Sequence, residues 1–216
     1  IQDVQARLEA ANALLREEGE VKKRLLTAET NRALFEQLDR DMERRITSLA
    51  RLINTLPEVE DPRGLTAYIT LCLCHIKRRC NLFFLARQGE PLPGDELSMY
   101  LDELAELARY GGVNTLIRCG KVGALKLRGA ALCYDFAFET ISWTLREKAT
   151  PLMGYLNAEG AQLVFRFLPG GDPGQWRFSQ ELVAAVTALG GQIACKDLDG
   201  AYGICLTVPL GGEACG

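Results

Sequence analysis

Hydrophobic positions in the first quarter of the chain recur at intervals of three and four residues. Val4, Leu8, Ala11 and Leu15 form one such series, and Phe35, Leu38, Met42, Ile46, Leu49, Ile53 and Leu56 form another. Between Gln2 and Leu56 there is no proline and one glycine, and the residues are mostly good helix formers. The pattern predicts one very long helix whose narrow apolar stripe, flanked by charges, suits a coiled coil and then a bundle. The more polar stretch from Gly19 to Thr30 predicts a local weakening or bend near Gly19.

Pro57, the acidic run Glu58 to Asp61 and Pro62 read as a turn. A second helical pattern follows to about Arg87, with Leu65, Ile69, Leu73, Ile76, Cys80 and Phe83 or Phe84 on one face. A short connection between two such helices predicts an antiparallel hairpin. Each arm buries only one side, so two hairpins from two chains are expected to close a four-helix bundle, giving a homodimer.

Gln88 to Gly94, QGEPLPG, reads as a linker, and beyond it the period changes from element to element. Asp95–Tyr110 is amphipathic through Leu97, Leu101, Leu104 and Leu107, and is closed by Gly111 and Gly112. Val113–Cys119 alternates as a strand. Ala130–Lys148 is helical through Leu132, Phe136, Ile141, Trp143 and Leu145, with Pro151 as its stop. Met153, Tyr155 and Leu163–Leu168 read as strands, Phe178–Leu189 as a helix, and Gln192–Lys196 and Tyr202–Pro209 as a final strand pair. The expected fold is α+β: a long coiled-coil and helical hairpin followed by a two-layer α/β sandwich with helices on one face of a mixed sheet. The expected division is a coiled-coil linker helix over 1–33, a dimerisation hairpin over 34–90 and the sandwich over 95–212.

Composition narrows the function classes. The chain has 216 residues, 48% of them hydrophobic, enough for a large core. A net charge of -3, with 25 basic and 28 acidic residues interleaved, gives no basic stripe and no reason to expect a nucleic-acid partner. The eight cysteines are scattered, and several lie in apolar runs, which predicts free thiols in a reducing compartment. Cys72, Cys74, His75 and Cys80 lack zinc-site spacing, so no metal is expected. No window is apolar enough to span a bilayer. The start at Ile1, without a methionine, fits a cytoplasmic portion whose link to a membrane is an upstream region.

The helical hairpin with its segment IKRRCNL, then FETISWTLREKAT and then VTALGGQIACKDLDGAYGICLTVPL, in this order along the chain, resemble the dimerising and ATP-binding regions of sensor histidine kinases. That resemblance covers nearly the whole chain and implies a Bergerat-type ATPase-like sandwich. It also implies that the phosphoacceptor position is Asp39, within QLDRDMERR, where the family carries histidine. The lone histidine of this chain, His75, falls in the second hairpin helix. In the segment matching the asparagine box, Glu139 keeps the family's glutamate, Trp143 replaces the asparagine that holds Mg²⁺, and Glu147 replaces a basic or histidine residue. Leu168 matches the adenine-reading aspartate. Of the glycines that cradle phosphate, only Gly174 remains, in GQWRFSQEL.

An indole cannot ligate magnesium, which requires hard oxygen donors, and a carboxylate at 147 repels polyphosphate. The resemblance, with these departures, therefore implies a signalling module of histidine-kinase type with degenerate catalytic motifs and no resident cofactor. Its expected partners are a second copy and a response regulator or other signalling protein. Two alternatives stand beside it: an active, divergent kinase using Mg-ATP, and a non-enzymatic, anti-sigma-like protein-binding regulator. His75, and the basic run Lys77, Arg78 and Arg79, read most simply as an ordinary bundle residue and a solvated helix face.

Overall fold

The structure, a computed structural model, describes residues 16–22, 42–60, 62–148, 151–170, 177–197 and 202–210. The chain divides into two compact units, Ile1–Arg51 and Leu52–Gly216. In the first, residues 16–22 are helical through Gly19 and residues 42–51 are helical; the rest of the Gly19–Thr30 stretch expected to weaken or bend lies outside the described residues. Asp39 lies outside the described residues.

In the second unit, which begins at Leu52, helix gives way to a 3-10 turn at Leu56–Glu58, where Pro57 has no amide to contribute and none is needed. Helix α1, Pro62–Gln88, again starts on a proline. Its pattern carries two apolar faces. Ala67, Leu71, Cys74 and Leu82 are buried, whereas Leu73 and Phe84, from the face predicted to form the bundle, are each 50% exposed. The buried face packs against α2, Gly94–Tyr110, and α3, Leu127–Glu147. A close approach at Gly111 fixes that arrangement: a side chain there would meet Leu145 at 2.4 Å and Ala67 at 2.8 Å, so only glycine fits where the three helices converge. The QGEPLPG segment is pinned by paired backbone hydrogen bonds between Leu92 and Leu125, with Leu92 fully buried.

The remaining elements are strand β1, Thr115–Cys119; β2, Leu152–Glu159; β3, Gln162–Pro169; helix α4, Gln180–Ala188; β4, Gln192–Asp197; and β5, Tyr202–Pro209. The sheet order is β1-β2-β3-β5-β4, with β1 parallel to β2 and the other pairs antiparallel. Elements and order match the α+β expectation. Alternation along the strands puts Ile117, Leu152, Leu156, Phe165, Phe167, Ile204, Leu206 and Val208 in the core, beneath the helices. Phe136 of α3 anchors this layer, its ring 5.6 Å from both Phe165 and Phe167. α3 ends four residues before the proline expected to stop it. Lys148 takes a left-handed conformation (φ 51°) and its amide closes on Thr144, which terminates the helix.

Candidate functional site

Helix α3 carries contacts to more than one neighbouring element of the second unit, through Asp135 to α1 and through Glu139 to the start of α4. Fourteen of its 21 residues are buried, because the sheet, α1 and α2, and α4 each take a side of it. Its buried hydroxyls turn back to the helix: Thr140 donates to the Phe136 carbonyl and Thr144 to that of Ile141, both at 2.8 Å.

At the carboxyl-terminal half of α3, Glu139 faces the start of α4. Ser179 is the residue capping that helix, its hydroxyl oxygen accepting from the Leu182 amide at 3.2 Å. Glu139 accepts from both ends of the same serine: the Ser179 amide donates to Oε2 at 2.8 Å, and the Ser179 hydroxyl donates to Oε1. A carboxylate thus sits at the positive pole of α4, where free amides and helix dipole together favour an anion. Next to it Phe178 stacks on Phe136, centroids 5.2 Å apart, and closes the crevice between the two helices with aromatic carbon. Ser179 went unremarked in the sequence, although a serine preceding Gln-Glu-Leu is a legible capping signal.

The other residues expected to form a nucleotide pocket do not converge there. Trp143, one turn beyond Glu139, is 7% exposed and belongs to the hydrophobic core. Glu147, a further turn on, is exposed at the end of α3. Leu168 alternates outward between buried Phe167 and Pro169, on the exposed face of the sheet, and is 38% exposed. Gly174 lies outside the described residues. Among the described residues no cluster of three or more His, Cys, Asp and Glu could hold a metal ion, and no helix is long and apolar enough to cross a membrane.

A second constellation joins α1 to α2 and α3. His75 is 2% exposed, its ring stacked 3.9 Å from that of Phe138 and 5.5 Å from that of Tyr134. Its Nε2 is 2.8 Å from Oδ1 of Asp135, which Arg79 also approaches at 3.3 Å. Arg78 donates to Glu103 of α2 at 2.8 Å while its guanidinium lies 4.2 Å over the Tyr100 ring. The reading of Arg78 and Arg79 as a solvated face is corrected: both reach across to carboxylates, and only Lys77 of the run is exposed.

Burial leaves its mark on the ionisable groups along this seam. It pushes the Cys74 thiol up to about 11, partly offset by the Tyr134 hydroxyl 3.6 Å away, and pushes Tyr134 and Cys133 strongly upward. Burial opposes ionisation of Glu103 as well, but hydrogen bonds from Arg78 and Cys74 and the positive charges of Arg78 and Lys77 together outweigh it and hold the carboxyl below its usual value.

No protein-family model matches the sequence, and no curated protein does. Among solved structures, the chain is similar to the histidine kinase domain of the blue-light activated histidine kinase of Erythrobacter litoralis (13% identity, 76% of this chain and 83% of that one, TM-score 0.48). It is also similar to a bacterial phosphotransferase (11% identity, 78% and 91%, TM-score 0.45). A third is the histidine kinase ThkA, solved in complex with the response regulator protein TrrA (11% identity, 82% and 61%, TM-score 0.42). With identities this low, no residue role transfers from any of them.

Proposed function

We propose that the chain is a signalling module of histidine-kinase type whose ATPase-like sandwich no longer serves phosphate transfer and acts instead as a structural and protein-binding element. The observation that carries this reading is the Glu139–Ser179 contact. A nucleotide phosphate placed at the start of α4 would compete with a carboxylate already held there by an amide and a hydroxyl, so its binding would begin with repulsion and the loss of two hydrogen bonds. Buried Trp143 and the Phe136–Phe178 stack support the same reading, since both place carbon where a metal and a nucleotide need polar room. Residues 139, 143 and 147 therefore do not fit Mg-ATP.

The half-exposed Leu73 and Phe84 on the outer face of α1 are the surface through which a second copy would pair. A response regulator is the natural partner of such a module. Titration calorimetry with Mg-ATP on the whole chain tests the reading: no heat of binding is expected at micromolar nucleotide. Micromolar affinity abolished by Glu139→Gln would overturn it in favour of an active, divergent kinase.

A further inference from the structure

Two side chains one helical turn apart on α3 tie it to two different elements. Asp135 receives His75 and Arg79 from α1, and Glu139 receives Ser179 at the start of α4. Residues four apart lie on the same side of a helix, and a single α-helical turn is stiff. α1 itself cannot slide independently. His75 is wedged against Phe138 and Tyr134 of α3 and bonded to its Asp135, and Arg78 is tied to Glu103 and Tyr100 of α2, so a shift of α1 by a fraction of a turn must either break these polar and ring contacts or carry its neighbours with it. α3 in turn cannot move without disturbing the cap of α4.

We infer that the position of α1 is read out at the amino end of α4, through the relay His75–Asp135 on one turn of α3 and Glu139–Ser179 on the next. His75 is a positioning residue in this device. Asp135 is the point at which α1 grips the sandwich, and Glu139 is the point at which the sandwich responds. The inference goes beyond the reading of the nucleotide site, because the relay is built from the chain's own contacts and holds whether or not a nucleotide binds.

Hydrogen exchange on the whole chain, without nucleotide, tests it. The amides of Leu182 and Val183 are held by the oxygens of Ser179 and report the first turn of α4. In His75→Ala they should exchange about tenfold faster, while amides of β3 and β5 stay unchanged. Arg79→Gln removes a half-exposed partner of Asp135 without opening a cavity. It should give a smaller effect in the same direction, and it keeps the test available if His75→Ala does not fold.

Coupling between sites is reciprocal, so Glu139→Gln should accelerate exchange in residues 72–82 of α1. Unchanged α4 exchange in His75→Ala or, where that variant is unfolded, in Arg79→Gln would overturn the relay. So would acceleration shared equally by β3 and β5, which would mean general destabilisation. Calorimetry with Mg-ATP remains a separate outcome, so failure of either idea leaves the other distinguishable.

Discussion

Replacing Glu139 by glutamine changes one oxygen to an amide nitrogen and separates a structural carboxylate from one poised for a ligand. The native carboxylate accepts the Ser179 amide at 2.8 Å and the Ser179 hydroxyl as well. Glutamine keeps one acceptor and turns a donor toward the other partner. Hydrogen bonds to a charged acceptor contribute about 1.5–3 kcal/mol each, and neutral ones about 1 kcal/mol. The charge at the pole of α4 adds about 0.5 kcal/mol. One bond lost and one weakened, with rotation of the Ser179 hydroxyl recovering part, gives a loss of about 2 kcal/mol, moderated because the pair is only part-buried.

For a chain of this size that corresponds to a fall in Tm of about 4–8 °C. Urea denaturation followed by circular dichroism should show a lower midpoint with an unchanged slope. Ser179→Ala should cost a similar amount, since it removes the cap as well as the contact. The double variant should lose less than the two single losses together, by about 1 kcal/mol. A carboxylate held ready for a ligand behaves in the opposite way: neutralising it leaves the free protein as stable or more so. A Tm for Glu139→Gln at or above that of the native chain would therefore refute the structural assignment.

Trp143→Asn restores the residue type at the position resembling the family's metal-holding asparagine. With Trp143 in the core, it should leave a cavity and bury an unsatisfied amide at a cost of about 3–5 kcal/mol, read by urea titration, without creating Mg-ATP binding. Gain of nucleotide affinity at unchanged stability would show that the indole merely plugs a working pocket. Alkaline pH provides the last prediction. Cys74, raised from 9.0 to about 11, and Cys133 and Tyr134, raised further by burial, all favour the neutral form when folded. Their stabilisation is complete below the unfolded thiol value of 9.0 and drains away as pH rises through the folded values. The denaturation midpoint should therefore fall steeply between pH 9 and 11 and stay flat from 7 to 8.5. Phenylalanine at 134 should remove the tyrosine's share of that slope.

The elements of the second unit were legible because each carries its own periodicity: three-four spacing through Leu97, Leu101 and Leu104, and alternation along Leu163–Leu168. Helix α1 shows where such reading stops. The series read for the bundle, Leu65, Ile69, Leu73, Ile76 and Cys80, is regular enough to satisfy a bundle prediction by itself, although Ile69 is buried within the chain and only Leu73 of the five is exposed. The second stripe, Ala67, Leu71, Cys74 and Leu82, is the one the sandwich buries, and its small residues and thiol weigh little in a hydrophobicity pattern. The contacts that assign α1 to the sandwich are also invisible locally. Arg78 finds Glu103 25 residues away, and His75 finds Asp135 60 residues away. A histidine followed closely by Lys-Arg-Arg looks like solvent-facing charge until the fold supplies the carboxylates. Of the candidate site residues, Glu139 and Trp143 lie on the inner side of the fold. Leu168 does not, because the strand's alternation turns its odd-numbered neighbours inward and Leu168 outward.

Whether α3 is a core helix or the floor of a pocket turns on what it does with its polar groups. A pocket floor leaves polar atoms directed at the space a ligand will fill. On α3 the buried hydroxyls of Thr140 and Thr144 are spent on its own backbone, Asp135 faces α1, and Glu139 faces the cap of α4. Among the described residues only Ser142 buries a side-chain oxygen without a hydrogen-bond partner, and it sits beside Trp143 within the buried run. Ser142 apart, these buried polar groups are thus engaged within the chain, the threonines by the helix's own backbone and the two carboxylates, Asp135 and Glu139, by elements distant in sequence. A helix with its chemistry directed this way is suited to holding α1 and α4 in fixed relation, and transmitting a displacement between them requires that same arrangement.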